Sequence, residues 1–230
     1  MNPLFRAALI IAAVITGAST AAIRAQDASV DQLIKKLPPP EKVAKTVQPA
    51  DPALRDPLAK QIVDSAKGMN FGNALGLSQK LAARYPKSVA AQSIHGQLAL
   101  ILRRFPEASA AFHKALSIQP NLAFAYVGLG LIDLSQNHVG TAMSDFRQVT
   151  RLAPGADIGW IGLSACAEKL GNKGQSLEYA RKATAVAPSS FSAWIQLSRE
   201  EGVSGNKQAA SKALAHANQL RRKAPKANQR

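Results

Sequence analysis

Cysteine is almost absent. The 230 residues hold one, Cys166. An intramolecular disulfide framework is therefore excluded, and a thiolate zinc site is short of ligands. Histidine is scarce as well: His95, His113, His138 and His216 are scattered, with no His-x₃-His pair, so neither a metal nor another cofactor is expected. Aromatic residues make up only 5%, which argues against base–aromatic stacking as a binding mode. The chain lacks a glycine-rich phosphate loop, a nucleophile elbow and a paired-carboxylate motif. Glu200 and Glu201 are neighbours, and adjacent positions on a helix do not converge. These gaps lead to the expectation of a protein without enzymatic activity. Acidic residues are also few, 14 against 29 basic ones, for a net charge of +15. Hydrophobic residues, at 47%, are plentiful enough for a packed core.

Positions 1–25 read as a secretory signal. Met1 to Arg6 is short and carries one positive charge, Ala7 to Ile15 is an unbroken apolar run, and small residues lead to Ile23-Arg24-Ala25 before the chain turns polar at Gln26-Asp27. Cleavage after Ala25 removes Arg6 and Arg24 and no acid, so the mature chain stays strongly basic. Left uncut, residues 7–23 reach the lower limit of a membrane span and could anchor the chain to an inner membrane. No Asn-x-Ser/Thr sequon follows, and Cys166 is too distant for lipidation behind the apolar run. An exported protein, periplasmic in a bacterium, is the expectation.

Residues 27–37 place Val30, Leu33, Ile34 and Leu37 on one face of a short helix. Pro38, Pro39, Pro40, Pro49, Pro52 and Pro57 follow, so residues 26–54 read as a proline-rich linker with a short helix. Helical periodicity begins after Pro57 and continues to about Lys223.

Four later prolines, Pro86, Pro120, Pro154 and Pro188, stand at equal intervals of 34. At the overall proline frequency, three such coincidences have a chance of about 2 × 10⁻⁴. Other residues travel with them: Ala74, Ala108, Ala142 and Ser176; Ser78, Phe112, Phe146 and Ala180; Ile62, Gly96, Gly130 and Ser164; Leu58, Gln92, Tyr126 and Trp160. Trp194, Ser198, Ala210 and Leu214 carry the register into a fifth unit, with Arg222 in the proline's place. Small residues at positions 8 and 20 of each unit let two helices approach closely, and larger ones at 4, 11 and 24 fill the remaining space. Proline stops the second helix. Ser88, Asn121 and Ser190 lie where the next helix needs an N-cap, and Gly171 and Gly205 fall in turns within their units.

This pattern resembles the tetratricopeptide repeat (TPR) family over units 55–88, 89–122, 123–156, 157–190 and 191–224, leaving 225–230 as a basic tail. The resemblance implies an all-α solenoid of five antiparallel helix pairs in a right-handed superhelical arc, with the first (A) helix of each pair on the concave side. The family presents positions 2, 5, 9 and 12 of the A helices to ligands. These lie well over 100° from the core positions 4, 7, 8 and 11. The third unit holds Phe124, Val127, Leu131 and Leu134 there; the fourth holds Ile158, Ile161, Ala165 and Glu168. The second holds Ala90, Ser93, Gln97 and Leu100 with Ile94 beside them, and the fifth Ser192, Ile195, Arg199 and Gly202.

A helix apolar all round has to be covered. The expected partner groove is therefore Ile94, Gln97, Phe124, Val127, Leu131, Ile158, Ile161, Ile195 and Arg199. A partner protein, a second copy of the chain or its own residues 30–37 could fill it, and neighbouring A helices could bury these positions themselves. The Lys and Asn pair with which some family members grip acidic C-terminal peptides at positions 5 and 9 is missing: Ala59/Val63, Ser93/Gln97 and Val127/Leu131 stand there. An electrostatic alternative rests on Arg221, Arg222, Lys223, Lys226 and Arg230, an acid-free tail suited to an anionic surface or polyanion, though it is also what solubilises a helix end and complements its dipole. No specific nucleic-acid module accompanies it.

Overall fold

The computed structural model describes residues 51–223. The expected leader, the stretch over 27–37, the linker up to Ala50, and Lys226 and Arg230 lie outside the described residues. A 3₁₀ turn at Pro52–Arg55 precedes ten α-helices: α1 (Pro57–Lys67), α2 (Phe71–Arg84), α3 (Val89–Ile101), α4 (Phe105–Ile118), α5 (Ala123–Ser135), α6 (Val139–Leu152), α7 (Asp157–Lys169), α8 (Lys173–Val186), α9 (Phe191–Val203) and α10 (Lys207–Lys223). No strand occurs among the described residues. The helices fall into two compact units, residues 51–135 and 136–223.

Each even-numbered helix up to α8 ends just before its proline, at Arg84, Ile118, Leu152 and Val186. Proline lacks an N–H and cannot accept another helical turn, so the stop is built into the chain. Ser88 and Ser190 then cap α3 and α9, their hydroxyls accepting from the amides of Ala91 (2.9 Å) and Ala193 (3.2 Å). Asn121 does not take the corresponding place at α5. There Leu122 precedes the helix and is buried, while Asn121 is exposed.

The turns inside the pairs share one device. Met69, Arg103, Asn137, Gly171 and Gly205, again one repeat apart, all have positive φ. The following amides of Asn70, Arg104, Asn172 and Asn206 reach back to Ser65, Ala99, Ala167 and Glu201, closing each helix C-terminus in a Schellman-type cap. Only the two glycines signal this in the sequence.

In the first unit, α1 pairs with α2, α3 with α4, and α5 packs on α4. The ring of Phe112 on α4, at position 24, is completely buried and lies between two glycines. A Cβ on Gly96 would stand 2.9 Å from it and one on Gly128 only 2.3 Å. Gly96 is the expected small residue at position 8; Gly128, at position 6 of the following A helix, carries no signal in the repeat pattern. The start of this unit is tied down. Asp51 accepts from both the Ser88 hydroxyl (2.7 and 2.8 Å) and the Ala90 amide (3.1 Å). Asp56 caps Leu58 (2.8 Å) and holds Arg84 (2.7 Å) and the Tyr85 hydroxyl (3.0 Å).

In the second unit α6 packs on α7, and α7–α8 and α9–α10 form pairs. Phe146 repeats the role of Phe112, its ring 2.3 Å from where a Cβ on Gly162 would be. Between α7 and α8 the close contact is polar. Ser164 donates to the Ser176 carbonyl (3.0 Å) while Ser176 donates to the Ser164 carbonyl (2.9 Å). In the last pair Ser198 likewise donates to the Ala210 carbonyl (2.8 Å). Positions 8 and 20 are thus small because helix backbones meet there.

Candidate functional site

In the first unit the inner-face positions of the A helices are sealed. On α3, Ala90, Ser93, Gln97 and Leu100 are buried, as is Ile94. Every residue from Val89 to Leu100 is buried, so α3 has no solvent-facing side. On α5, Phe124, Val127, Leu131 and Leu134 are buried too. Phe124 is turned into the core, because its ring meets Phe112 edge-on at 5.9 Å between centroids. It is a packing residue and not part of an open surface.

In the second unit the same positions behave differently. Ile161 and Ala165 on α7 are buried, but Ile158 is half-buried, and so are Ile195 and Arg199 on α9. Arg199 Nη2 lies 2.6 Å from Glu168 Oε1, an ion pair from α9 to α7 between inner-face positions. Both isoleucines are thus partly accessible, and Ile195 lies one turn from the charged pair on α9. Arg199 is therefore neutralised within the chain and offers no isolated cation. Spacing along one helix does not reveal this pairing, because the partners stand nearly one repeat apart.

Burial also changes the account of the acidic pair on α9. Glu200 and Glu201 are 1% and 5% exposed, so neither is a solvated surface residue. Gln196 donates to Glu200 (2.9 Å) and to Ser164 (3.1 Å), joining the serine contact to a buried carboxyl. Desolvation raises the pKa of Glu200, against a hydrogen bond from Ser176. For Glu201 burial pushes upward, but hydrogen bonds from Arg181 (2.8 Å) and Asn206 (2.7 Å) outweigh it and leave the pKa lowered. Cys166 is wholly buried, and its thiol is pushed up to about 12 by desolvation.

One catalytic-looking arrangement does form. His95 Nδ1 is 3.1 Å from Ser78 Oγ, and its Nε2 is 3.4 Å from Glu107 Oε1. The order is serine, imidazole, carboxylate. Its chemistry is nevertheless closed. The Ser78 hydroxyl donates to the Leu75 carbonyl at 2.7 Å, and Ser78 has no exposed surface. A nucleophile must present its oxygen to a substrate carbon with the base able to take its proton, and here that proton is committed to the helix backbone. Burial lowers the pKa of His95, with Glu107 pulling the other way. Ser78 fills the place held by Phe112 and Phe146 in later units, and His95 supplies the missing bulk beside it. No cluster of potential metal ligands occurs among the described residues.

Arg221, Arg222 and Lys223 close α10, and all three are exposed. Along α10 the cations also include Lys207 and Lys212, and no acid occurs on that helix. Among the described residues no helix is long and apolar enough to cross a membrane.

Helix hairpins recurring at a fixed interval, with a bulky residue of one pair seated on the next, define a helical repeat protein. The particular fold is that of the tetratricopeptide repeat, as solved structures make plain. MamA residues 41 to the end, from Desulfovibrio magneticus RS-1, superposes with a TM-score of 0.60 at 16% identity, over 73% of this chain and 94% of that one. TTC0263, a thermophilic TPR protein of Thermus thermophilus, gives 0.63 at 15% identity over 73% and 91%. PilW, a type IV pilus biogenesis factor, gives 0.64 at 18% identity over 74% and 79%. At these identities the likeness concerns fold. No protein-family model and no curated protein matches the sequence.

Proposed function

We propose that this chain is a non-enzymatic adaptor of the cell envelope, docking an apolar or amphipathic segment of another protein on the inner faces of its A helices. The observation that carries the reading is the partial exposure of Ile158 on α7 and of Ile195 on α9, the latter one turn from Arg199, which pairs with Glu168. Apolar anchors with a polar border are how small interfaces gain both affinity and register, and solenoids use their inner surfaces in this way. The envelope setting rests on the signal-like N-terminus and is supported by the shared fold with PilW, a type IV pilus biogenesis factor. The test is site-specific photocrosslinking from position 195 in cells. A discrete adduct that disappears with Ile158→Glu, in protein with unchanged helicity, is the expected result. Absence of any adduct from 195 and from 158 refutes the reading.

A second reading, binding of an anionic surface, is favoured by the acid-free α10 with Arg221, Arg222 and Lys223 at its end. Charge reversal of these three would abolish sedimentation with anionic vesicles, and raising salt would do the same to the parent protein. Binding that ignores both changes removes this reading.

A further inference from the structure

We propose that the outer side of α10, with the last turn of α9, docks an acidic helix of another protein, a glycine or alanine of that helix seating on Leu214. The inference goes beyond docking on the inner faces. It rests on the second reading only in taking α10 as a helix that seeks negative charge, and it puts a helix in place of an anionic surface.

The first support is a knob without a hole. Position 24 of the repeat is held by Ser78, Phe112, Phe146, Ala180 and Leu214. The first four have no exposed surface, whereas Leu214 is 44% exposed. Within the array, position 6 of the following A helix receives this residue. A Cβ on Gly128 would fall 2.3 Å from the Phe112 ring, and one on Gly162 the same distance from Phe146. Sizes trade across the join: where position 24 is the small Ser78 or Ala180, the following position 6 is the larger Ile94 or Gln196. Leu214 is of the large kind, so its hole calls for a small residue. The end of α9 is open in the same way. Glu168, at position 12 of α7, meets Arg199 of the next A helix at 2.6 Å, and its counterpart Gly202 is exposed. Among the described residues α10 packs on α9, leaving Leu214 on a side where earlier pairs receive another helix. A terminal repeat that needs no cover carries a polar outer face.

The second support is charge, which selects the occupant. Lys207 and Arg221 stand seven residues before and after Leu214, on the same stripe of α10 and about 10 Å away in each direction. Lys212, Arg222 and Lys223 add to them, α10 has no acid, and the two acids of α9, Glu200 and Glu201, are buried. The complement is a helix with a small residue at its centre and a carboxylate about two turns to either side. A second copy is a poor match. Stacked head to tail, it would bring the exposed Lys60, at position 6 of its α1, against Leu214. Stacked tail to tail, it would set cations against cations. A bilayer rewards a broad apolar face. Here Ala213 and Ala217 are buried, and Ser211 and Asn218, one turn to either side of Leu214, are polar.

The probe is a synthetic amphipathic helical peptide with a central glycine and a glutamate seven residues to each side, labelled for fluorescence anisotropy and titrated with the intact chain. Saturable binding is expected. It should weaken at least tenfold when leucine replaces the peptide's glycine, when lysines replace its two glutamates, and when the protein carries Leu214→Gln, an exposed change whose helicity is checked by circular dichroism. Leu214→Phe, which restores the residue found at 112 and 146, should keep the binding. Absence of binding, or binding indifferent to both Leu214→Gln and the glycine replacement, overturns the proposal. Sedimentation with phosphatidylglycerol vesicles that Leu214→Gln weakens tenfold, without peptide binding, assigns the face to lipid; it overturns the proposal and leaves the second reading standing. Dimerisation in sedimentation equilibrium that Leu214→Gln abolishes, without peptide binding, assigns the face to a second copy and also overturns it. Peptide binding by a chain that ignores the vesicles supports the proposal and removes the second reading, so the two can fail separately.

Discussion

Replacing Gly128 by alanine sets two effects against each other, and the structure says which wins. In a helix interior alanine is preferred to glycine by about 1 kcal/mol. At Gly128, however, the new Cβ would stand 2.3 Å from Phe112 Cε2, 2.5 Å from Cζ and 2.7 Å from Cδ2. The ring has little room to retreat, because its other edge lies so close to the Gly96 backbone that even a Cβ there would stand 2.9 Å from it, and Phe124 packs against it. Overpacking of this kind costs about 1–3 kcal/mol, and the upper end applies to a wholly buried ring. Net destabilisation of about 1–2 kcal/mol is expected after the propensity gain. Urea unfolding followed by circular dichroism measures it. Gly76→Ala on α2, where nothing lies within 4 Å of the new atom, serves as the internal contrast and should stabilise by about 1 kcal/mol. A Phe112→Leu background should remove most of the Gly128→Ala penalty, giving a coupling of about 1 kcal/mol in the double-mutant cycle. If Gly128→Ala stabilises as Gly76→Ala does, the ring is not held between two backbones and the packing argument is wrong.

The remaining predictions concern titration, strain and reactivity. Glu200 has a raised folded pKa, so the folded state binds more protons than the unfolded one between the ordinary glutamate value and the raised one; its contribution is fully present below that window and is lost as pH rises through it. Glu200→Gln should therefore raise the melting temperature at pH 7 and flatten its pH dependence, and an unchanged pH profile would contradict the assignment. Met69 holds φ at +58° on an exposed turn, a conformation costing about 1–2 kcal/mol for an L side chain. Met69→Gly should stabilise by about 1 kcal/mol once the looser unfolded chain is allowed for, measured as a shift in urea midpoint. Cys166 should resist a thiol reagent at pH 7 until the protein is unfolded; rapid labelling of the native chain would show that its burial is breached.

Much of the fold is legible in the sequence because the repeat is enforced by chemistry that tolerates few substitutes. Proline stops a helix whatever surrounds it, and positions 8 and 20 must be small where backbones meet, as Ser164 and Ser176 do directly. What the pattern hides involves partners on other helices. Gly128 and Gly162 are small because of rings on the preceding helix, Phe112 and Phe146. Ser78 and His95 substitute together for an aromatic, and a position-by-position comparison sees two departures where the structure has one compensation. Glu200 and Glu201 look like a solvated pair until the neighbouring α8 places Ser176 and Arg181 against them.

The inner-face positions show where periodicity stops being informative. A helical wheel places Val127 and Ile195 on equivalent faces, and on hydrophobicity alone they are interchangeable. The structure leaves Ile195 half-buried and Val127 at 3% exposure. An apolar stripe requires a cover but does not say whether that cover is a neighbour, a distant part of the same chain or another molecule. Polar atoms discriminate better, because each must be accounted for singly. On α7 and α9 the Glu168–Arg199 pair stays at the water boundary, where a partner's polar groups could exchange with it. On α3 the hydroxyl of Ser93 is buried with no hydrogen-bond partner among the described residues, and leaving such a group unpaired costs about 1–3 kcal/mol, which the apolar burial around it has to offset.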